Sequence, residues 1–299
     1  MELDEKIIQL NKRFQDTYWS SDFQRAEAIK RYRYNIAHGK IIELIRDLKY
    51  RHYSKCHFST DGNTCTTING RNDTKALKIV VYSCVVGKYD SVLEPIVVDE
   101  DVDYVMFTDQ HIDDSSIWKK IDITEFNEYK EKSALWLNRK IKMLPFEFLP
   151  KYDYSIYIDG NIELVASVKP LVENMGNAAL AVHYHSNRDC IYDEAVAIRH
   201  FKRADMNEVN NQLKTYLLKG FPKHFGLYEN SILIRKHDDE ELRKIMREWW
   251  FEYNLFPTRD QLSLPYVIWK NKYKDKVFVL GNNIVRNPRF NRMAKHNFS

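Results

Sequence analysis

The chain has 299 residues, of which 44% are hydrophobic and 13% aromatic, and its formal net charge is +4 from 46 basic and 42 acidic side chains. This composition excludes a wholly disordered chain, and the charge is unlike that of a general nucleic-acid binder, so no nucleic acid is expected among its partners. Four scattered cysteines without metal-finger spacing indicate a reducing, cytoplasmic location. We expect no signal peptide and no transmembrane helix, because the required apolar runs do not occur.

Residues 1–56 have a charged, helical pattern, and residues 25–55 carry nine Lys or Arg against three Asp or Glu. A basic helix with interleaved tyrosines can lie on an acidic membrane surface, which would place the protein at the inner face of the membrane. The other interpretation is an extension that packs on the main domain or on a second copy of the chain. The polar, turn-rich residues 57–76 predict a linker or long loop. We therefore divide the chain into an extension with its linker, 1–76, and a main domain, 77–299.

Apolar, β-branched runs alternate with helical patterns throughout the main domain. The predicted strands are 78–86, 104–109, 154–159, 179–184, 231–236 and 277–281. The predicted helices are 127–148, 192–204, 207–219, 239–253 and 259–271. This alternation predicts an α/β fold with helices on both sides of a central sheet.

Three acidic residues stand at or just after the carboxyl ends of predicted strands. They are Asp90, Asp109 and Asp159. Ligands of open α/β sheets bind beyond the carboxyl ends of the strands. The sequence therefore predicts that these carboxylates gather along one edge of the sheet.

The triplet Asp159-Gly160-Asn161 follows the apolar run YSIYI, whereas the same triplet at Asp61-Gly62-Asn63 follows no such run. At the second place a turn is a sufficient explanation, because Asp, Gly and Asn all favour turns. At the first place, residues two apart on an extended backbone point to the same side. A carboxylate and an amide carbonyl suit Mg²⁺ or Mn²⁺, so Asp159 and Asn161 are candidate metal ligands, although a hairpin turn explains the same letters.

Six segments in order between residues 79 and 271 resemble a known group of proteins. They are VVYSCVVGKYDSVLEP, DYVMFTD, NRKIKMLPFEFLPKYDYSIYIDGNIEL, HSNRDCIYDEA, GFPKHFGLYENSILIRKH and RDQLSLPYVIWKN. The chain is similar to the bacterial and plant glycosyltransferase-like proteins catalogued as domain-of-unknown-function family 616. The Asp-Gly-Asn triplet resembles the Asp-x-Asp element of nucleotide-sugar glycosyltransferases with the GT-A fold. The resemblance implies a GT-A-like, Rossmann-like and mostly parallel sheet.

The resemblance also implies roles for individual residues. Those expected to bind the nucleotide are Ser83, Val86, Tyr89, Asp90, Thr108, Asp109, Arg139 and Lys142. Those expected to bind the sugar or the acceptor are His185, Arg188, Asn230 and Gln261. The positive charges of Arg139 and Lys142 suit this role, because a sugar nucleotide carries two negative charges on its diphosphate. A histidine often completes GT-A metal sites, and His183, His185, His224 and His296 are open candidates.

The expected function is metal-dependent transfer of a sugar from a nucleotide-sugar to a glycan or glycolipid. The first candidate donor is a UDP-sugar. The expected cofactor is Mn²⁺ or Mg²⁺ at Asp159, and the setting is surface polysaccharide synthesis. If the reaction inverts the anomeric centre, Asp260 is the first choice as general base and Glu229 the second. Asp260 can instead be an N-terminal helix cap. The rival functions are a metal-dependent hydrolase and a subunit that binds nucleotide or glycan without catalysis.

The C-terminal tail is basic, with Arg286, Arg289 and Arg292 after the last acidic residue, Asp275. A basic tail can fold over a diphosphate and close the site when the donor binds. We expect instead a frayed, solvated terminus, which is the common state of chain ends.

Overall fold

The computed structural model describes residues 2–18, 21–65, 68–87 and 90–292. The helices are α1 (Glu2–Tyr18), α2 (Ser21–Ala37), α3 (Ile41–His57), α4 (Asn127–Glu131), α5 (Ala134–Met143), α6 (Pro145–Phe148), α7 (Lys169–Glu173), α8 (Ile191–Phe201), α9 (Met206–Leu218), α10 (Glu240–Leu255) and α11 (Asp260–Lys270). The strands are β1 (Ile79–Val85), β2 (Val102–Thr108), β3 (Lys119–Asp122), β4 (Tyr154–Ile158), β5 (Ile162–Leu164), β6 (Leu180–Tyr184), β7 (Tyr228–Lys236), β8 (Val277–Val279) and β9 (Phe290–Arg292).

Seven strands form the central sheet in the order β3-β2-β1-β4-β7-β6-β8. Strand β7 runs antiparallel to its neighbours β4 and β6, whereas the other neighbouring pairs are parallel. Apolar clusters cover both faces of this sheet, as expected of parallel strands that are buried on both sides. The α/β fold with a mostly parallel, helix-flanked sheet is therefore confirmed.

The antiparallel direction of β7 matters for the position of a ligand. Strands β1 and β4 are parallel and end at one edge of the sheet. Because β7 runs the opposite way beside β4, its first residues lie at that same edge, and the Asp159 backbone N–H donates to the Ser231 carbonyl at 2.9 Å. The carboxyl ends of two strands and the start of a third therefore meet at one place.

All six predicted strands are present, with shifts of a few residues at their ends. Strand β7 is three residues longer at its start than the predicted 231–236. Three strands were not predicted from the sequence. Strand β3 reads KKID and is not buried, and β5 and β9 have three residues each, so none of them carries a buried period-two pattern.

The predicted helix at 127–148 is instead three helices, α4, α5 and α6. The Ser133 side chain accepts a hydrogen bond from the Trp136 backbone N–H and so caps a new helix start. Pro145 stands in the first turn of α6, where a missing N–H costs nothing. The apolar spacing across the segment predicted one helix, but the cap at Ser133 starts a new helix within it.

Helices α1 to α3 precede the sheet and contact the rest of the chain at two separate places. The Gln15 side chain donates to the carbonyls of Asn287 and Phe290 at 3.1 and 2.7 Å. On α3, the Tyr50 ring stacks on the His200 ring of α8 with centroids 3.9 Å apart. The division of the chain at residue 76 stays a prediction, and the structure shows that the extension packs on the main domain.

The predicted linker contains a turn that is bound firmly to the main domain. Residues Asp61 and Gly62 form a turn, as the sequence indicated. The Asn63 side chain then accepts from the Leu227 backbone N–H at 2.9 Å and donates to the His185 carbonyl at 3.1 Å. A Cβ at Gly62 would lie 1.9 Å from the His224 carbonyl oxygen, so only glycine fits there.

The described part of the C-terminal segment packs on the rest of the chain, so the expectation of a frayed, solvated terminus is wrong for residues 286–292. Strand β9 pairs antiparallel with β5, with Arg292 opposite Ile162. The Arg289 guanidinium donates to the Ser167 carbonyl at 2.5 Å. His296 and the rest of the predicted basic tail lie outside the described residues.

The helices α2 and α3 expose apolar side chains between basic ones. Ile42 is 78% exposed, and Ile36, Ile41, Ile45 and Leu48 are also exposed. Within the part of the chain that the structure describes, no helix is both long enough and apolar enough to cross a bilayer.

Acid pH is expected to destabilise the fold through three buried histidines. Burial lowers the pKa of His183, His185 and His237 to about 3, from 6.5 in the unfolded chain. Between pH 6.5 and pH 3 the three histidines take up protons in the unfolded state but not in the folded state. Their contribution to the free energy of unfolding is therefore fully present above pH 6.5 and is lost as the pH falls. Three protons correspond to about 4 kcal/mol per pH unit between roughly pH 6 and 5.

Urea unfolding at pH 7.5, 6 and 5 measures this slope. His237 lies in an apolar contact with Phe146, with ring centroids 4.9 Å apart. His237→Leu should therefore reduce the slope by about one proton, roughly 1.4 kcal/mol per pH unit. An unchanged slope in this variant would show that the buried histidines do not govern acid unfolding.

Candidate active site

A cavity of about 520 Å³ opens at the sheet edge where β1 and β4 end and β7 begins. It is an ordinary size for a small-molecule site. Ten residues predicted from the sequence line it, namely Val86, Asp90, Arg139, Lys142, Asp159, Asn161, Glu229, Asn230, Asp260 and Gln261. The structure thus brings the metal, nucleotide and catalytic candidates into one place.

The Asp-Gly-Asn turn forms the floor of this cavity beside Asp90. A Cβ on Gly160 would lie 2.8 Å from Val85 Cγ2 and 3.2 Å from Asp90 Oδ2. The glycine therefore lets the Asp90 carboxylate approach the turn between Asp159 and Asn161. Oxygen atoms from two strand ends surround a space that any larger residue at position 160 would fill.

The oxygen donors around this turn are of the type that divalent cations such as Mg²⁺ and Mn²⁺ bind. Asp159 supplies a half-exposed carboxylate, Asn161 an amide, and Asp90 a second carboxylate across Gly160. Within the described chain, no three His, Cys, Asp or Glu ligand atoms lie within 4.8 Å of one another in this cavity. Mg²⁺ needs only one or two carboxylates when substrate phosphates complete its shell. The residues therefore fit a cation that is held jointly with a diphosphate.

Lys142 joins the metal candidate to the catalytic candidate. Its Nζ lies 2.8 Å from Asp260 Oδ2 and 3.4 Å from Asp159 Oδ1, and its side chain is 3% exposed. The Tyr157 hydroxyl also donates to Asp159 Oδ1, at 2.9 Å. One oxygen of Asp159 is thus oriented by the protein on its inner side.

The backbone of Lys142 is itself fixed by buried polar groups. The Arg235 guanidinium donates to the Lys142 carbonyl at 2.5 Å and to the Tyr82 hydroxyl at 2.8 Å. That hydroxyl in turn donates to the same Lys142 carbonyl at 3.2 Å. A fully buried arginine on β7 therefore positions the lysine without reaching the cavity.

Asp260 is ionised and tightly surrounded by cations. Burial alone raises the pKa of this carboxyl, but neighbouring positive charges outweigh burial and hold the pKa well below its usual range. These charges belong to Lys142, Arg139 and Arg259. The interpretation of Asp260 as a helix cap is wrong, because Arg259 occupies the cap position and Asp260 is the first residue of α11.

Glu229 and Asn230 enter the cavity from the start of β7. Glu229 Oε2 lies 3.8 Å from His185 Nε2, and Glu229 Oε1 accepts a 3.3 Å hydrogen bond from Ser231 Oγ. Gln261 is held near them by a 3.3 Å hydrogen bond from its side chain to the Tyr228 carbonyl.

His185 and Arg188 lie behind Glu229 and do not line the cavity. Arg188 forms a buried ion pair with Glu194 at 2.6 Å, and its Nη2 is 2.9 Å from His185 Nε2. Burial, assisted by the charge of Arg188, lowers the pKa of His185 to about 3, so this ring is neutral. Contact with sugar or acceptor stays a prediction for both residues.

Three further candidates stand on the central strands but outside the cavity lining. Ser83 and Thr108 are fully buried. Asp109 binds the Gly87 backbone N–H at 2.8 Å and accepts from the Tyr129 hydroxyl at 2.9 Å. Asp90 and Asp159 thus share the predicted acidic edge without Asp109. Tyr89 lies outside the described residues.

Several cavity residues were missed by the sequence reasoning. They include Arg259, Tyr157, Asn138 and Ser231. Arg259 directly precedes Asp260, and Tyr157 stands two residues before Asp159 on the same strand face, so position could have indicated both. Arg292, which the sequence analysis named in the basic tail but expected to be solvated, also lines the cavity, because β9 pairs with β5.

Comparisons with known proteins show a family match and similar chains. The family described as "TOD1/MUCI70, glycosyltransferase-like domain" matches residues 47–296. The protein named "Probable hexosyltransferase MUCI70" from Arabidopsis thaliana is 26% identical over 220 residues, which cover 63% of this chain and 37% of that protein. The chain therefore spans little more than a third of that relative. The apo structure of the bifunctional glycosyltransferase WbbM is similar with a TM-score of 0.46 and 11% identity, over 78% of this chain and 48% of that one.

Proposed function

Since the chain belongs to the TOD1/MUCI70 glycosyltransferase-like family, we propose that it transfers a hexose from a nucleotide-sugar to a hydroxyl of a glycan or glycolipid. A UDP-sugar is the first candidate donor, and the reaction depends on Mn²⁺ or Mg²⁺. The observation that carries the proposal is the single cavity in which carboxylates, an amide and four cations face the same space. Anionic phosphates and a hard cation are the ligands that this combination suits.

The four cations would bind the donor diphosphate. They are Arg139, Lys142, Arg259 and Arg292. Arg139 and Lys142 lie on α5, Arg259 directly precedes α11, and Arg292 lies on β9. Guanidinium groups form bidentate hydrogen bonds with phosphate oxygens, which fixes the orientation of the diphosphate as well as its charge.

Asp159 and Asn161 would hold the cation, with Asp90 beside them. When bound, the cation would neutralise the charge that grows on the leaving diphosphate. Tyr157 and Lys142 would orient the Asp159 carboxylate from the inside, so its outer oxygen faces the ligand. Val86 and Leu135 provide apolar lining in this cavity, which suits the face of a nucleotide base.

The acceptor side would be the wall formed by Glu229, Asn230 and Gln261. A general base works best when its pKa is near the operating pH. Asp260 is a poor base by this criterion, because its cationic neighbours hold its pKa well below the usual range. We therefore propose Glu229 as the base if the reaction inverts the anomeric centre, and Asp260 as the anchor of Lys142. If the configuration is retained, Glu229 would orient sugar hydroxyls.

The extension would serve contacts outside the active site. Its exposed isoleucines on α3 stand among basic residues of the same helix, such as Arg46, Lys49 and Arg51. This combination suits an anionic membrane surface, where a polysaccharide precursor is made, and a second copy of the chain is the alternative partner. A cytoplasmic location at the inner face of a membrane follows from the first of these proposals.

A donor screen tests the proposed function. The full chain with Mn²⁺ or Mg²⁺ is mixed with UDP-, GDP- and dTDP-sugars, and released nucleotide is measured with and without a glycan library. We expect one donor class to release nucleotide, with a rate that rises when the correct acceptor is present. Release that no acceptor changes would indicate a hydrolase, and binding of UDP without any release would indicate a non-catalytic subunit.

A further inference from the structure

A second group of ligand side chains lies outside the proposed active site. Cys190, Asp193 and His224 each offer one ligand atom, and these atoms lie within 4.8 Å of one another. None of the three lines the 520 Å³ cavity. A thiol, a carboxylate and an imidazole in one place supply sulfur, oxygen and nitrogen, the three atom types that bind Zn²⁺ in proteins.

The backbone brings the three groups together from two separate segments. Cys190 is the N-cap residue of α8 and Asp193 lies in its first turn, so the two side chains are one helical turn apart. His224 comes from the loop before β7 and has a left-handed backbone with φ of 55°. That conformation is uncommon for a residue other than glycine and costs free energy. The loop therefore holds His224 beside the start of α8 in a strained backbone conformation.

Further contacts orient these ligands from outside. Asp189 is fully buried, and its Oδ1 lies 2.7 Å from His224 Nδ1. Its other oxygen accepts a 2.6 Å hydrogen bond from the Gly62 backbone N–H. A carboxylate on a metal-binding imidazole fixes the ring and its tautomer, and such pairs accompany most zinc histidines. The Tyr53 hydroxyl makes a comparable, longer contact of 3.4 Å to Asp193 Oδ1.

We propose that Cys190, Asp193 and His224 bind one zinc ion, with water in the fourth position. On binding, the thiol proton leaves to solvent and the thiolate and carboxylate neutralise the ion, so the site carries no net charge. The ion would link α8 to the loop before β7, and the contacts of Asp189 and Tyr53 extend this link to the 61–63 turn and α3. The inference is independent of the proposed transferase activity.

Metal content and cobalt substitution test the proposal. The full chain, purified without a metal-affinity tag, should contain about one zinc per molecule by inductively coupled plasma mass spectrometry. Replacement by Co²⁺ should give thiolate-to-cobalt absorption in the near ultraviolet and the strong visible bands of a tetrahedral site. Both signals should disappear in Cys190→Ser and in His224→Ala. The His224 side chain is 47% exposed, so the second variant avoids a change in the core.

Two matched variants serve as controls. Cys65 is an exposed, free cysteine, and Cys65→Ser should keep the zinc and the cobalt spectrum. Asp159→Asn changes the active site and should also keep both. Wild-type protein that binds neither metal would overturn the proposal, and so would zinc that remains in His224→Ala at full occupancy. Loss of zinc from Asp159→Asn alone would place the ion in the active site and would equally refute the second site.

Discussion

Asparagine in place of Asp159 is expected to lower the rate of sugar transfer by roughly a hundredfold to a few thousandfold. The change removes one of the carboxylate charges beside Asn161 but keeps the shape of the side chain. A cation that stabilises a leaving diphosphate contributes several kcal/mol, and each 1.36 kcal/mol is a factor of ten in rate. The Tyr157 hydroxyl can still donate to the remaining amide oxygen, so the local structure should persist.

The chain contains its own control for this experiment. Asp61 stands in the same Asp-Gly-Asn triplet but in an exposed turn. Asp61→Asn should leave both the transfer rate and the affinity for Mn²⁺ in the presence of UDP unchanged. Isothermal titration with Mn²⁺ and UDP separates binding from chemistry. Equal activity of the two variants, or equal Mn²⁺ affinity, would refute the metal assignment.

Breaking the Lys142–Asp260 pair is expected to have the largest effect on stability. Both side chains are almost fully buried, and their charged atoms are 2.8 Å apart. Removal of one partner takes away the nearest counter-charge of the other in the interior, and breaking a buried pair in this way costs about 3–5 kcal/mol. Asp260→Asn and Lys142→Met should therefore each lower the free energy of unfolding by about this amount, and each should abolish transfer.

The double variant distinguishes a buried ion pair from two independent losses. Lys142→Met combined with Asp260→Asn replaces both charges, and substitution of a complete pair is often close to neutral. We expect the double variant to recover most of the stability without recovering activity, in a double-mutant cycle measured by urea unfolding. As a control, Asp101 pairs with Lys169 at 2.6 Å on the surface, and Asp101→Asn should cost less than about 1 kcal/mol. Additive losses in the cycle would contradict the coupling.

The sequence predicted the elements that bury a long apolar run. Strands β1 and β4 are buried at every position, so their pattern is strong enough to read locally. Strand β3 has only exposed and half-buried residues, and it exists because β2 offers a free edge for pairing. Such a strand depends on its neighbour and has no signal of its own.

The site was predictable where a residue follows directly from a strand or helix end. Asp159 and Asn161 follow β4, Glu229 opens β7 and Asp260 opens α11, and all four line one cavity. Asp109 also follows a strand, but its carboxylate is used by Gly87 and Tyr129. Which strand-end acid keeps its oxygens for a ligand depends on such tertiary contacts, and these cannot be inferred from spacing.

The contact of helix α1 with the C-terminal segment has a consequence for any shortened form of the chain. Asn11 and Gln15 donate to the carbonyls of Pro288 and Phe290, just before and at the start of the strand that carries Arg292 into the cavity. A protein trimmed to the span of the family match, 47–296, would retain every residue that lines the cavity and still lose the α1 contacts that hold one of its walls. The smallest unit that keeps this cavity intact is thus larger than the span that similarity to relatives would delimit.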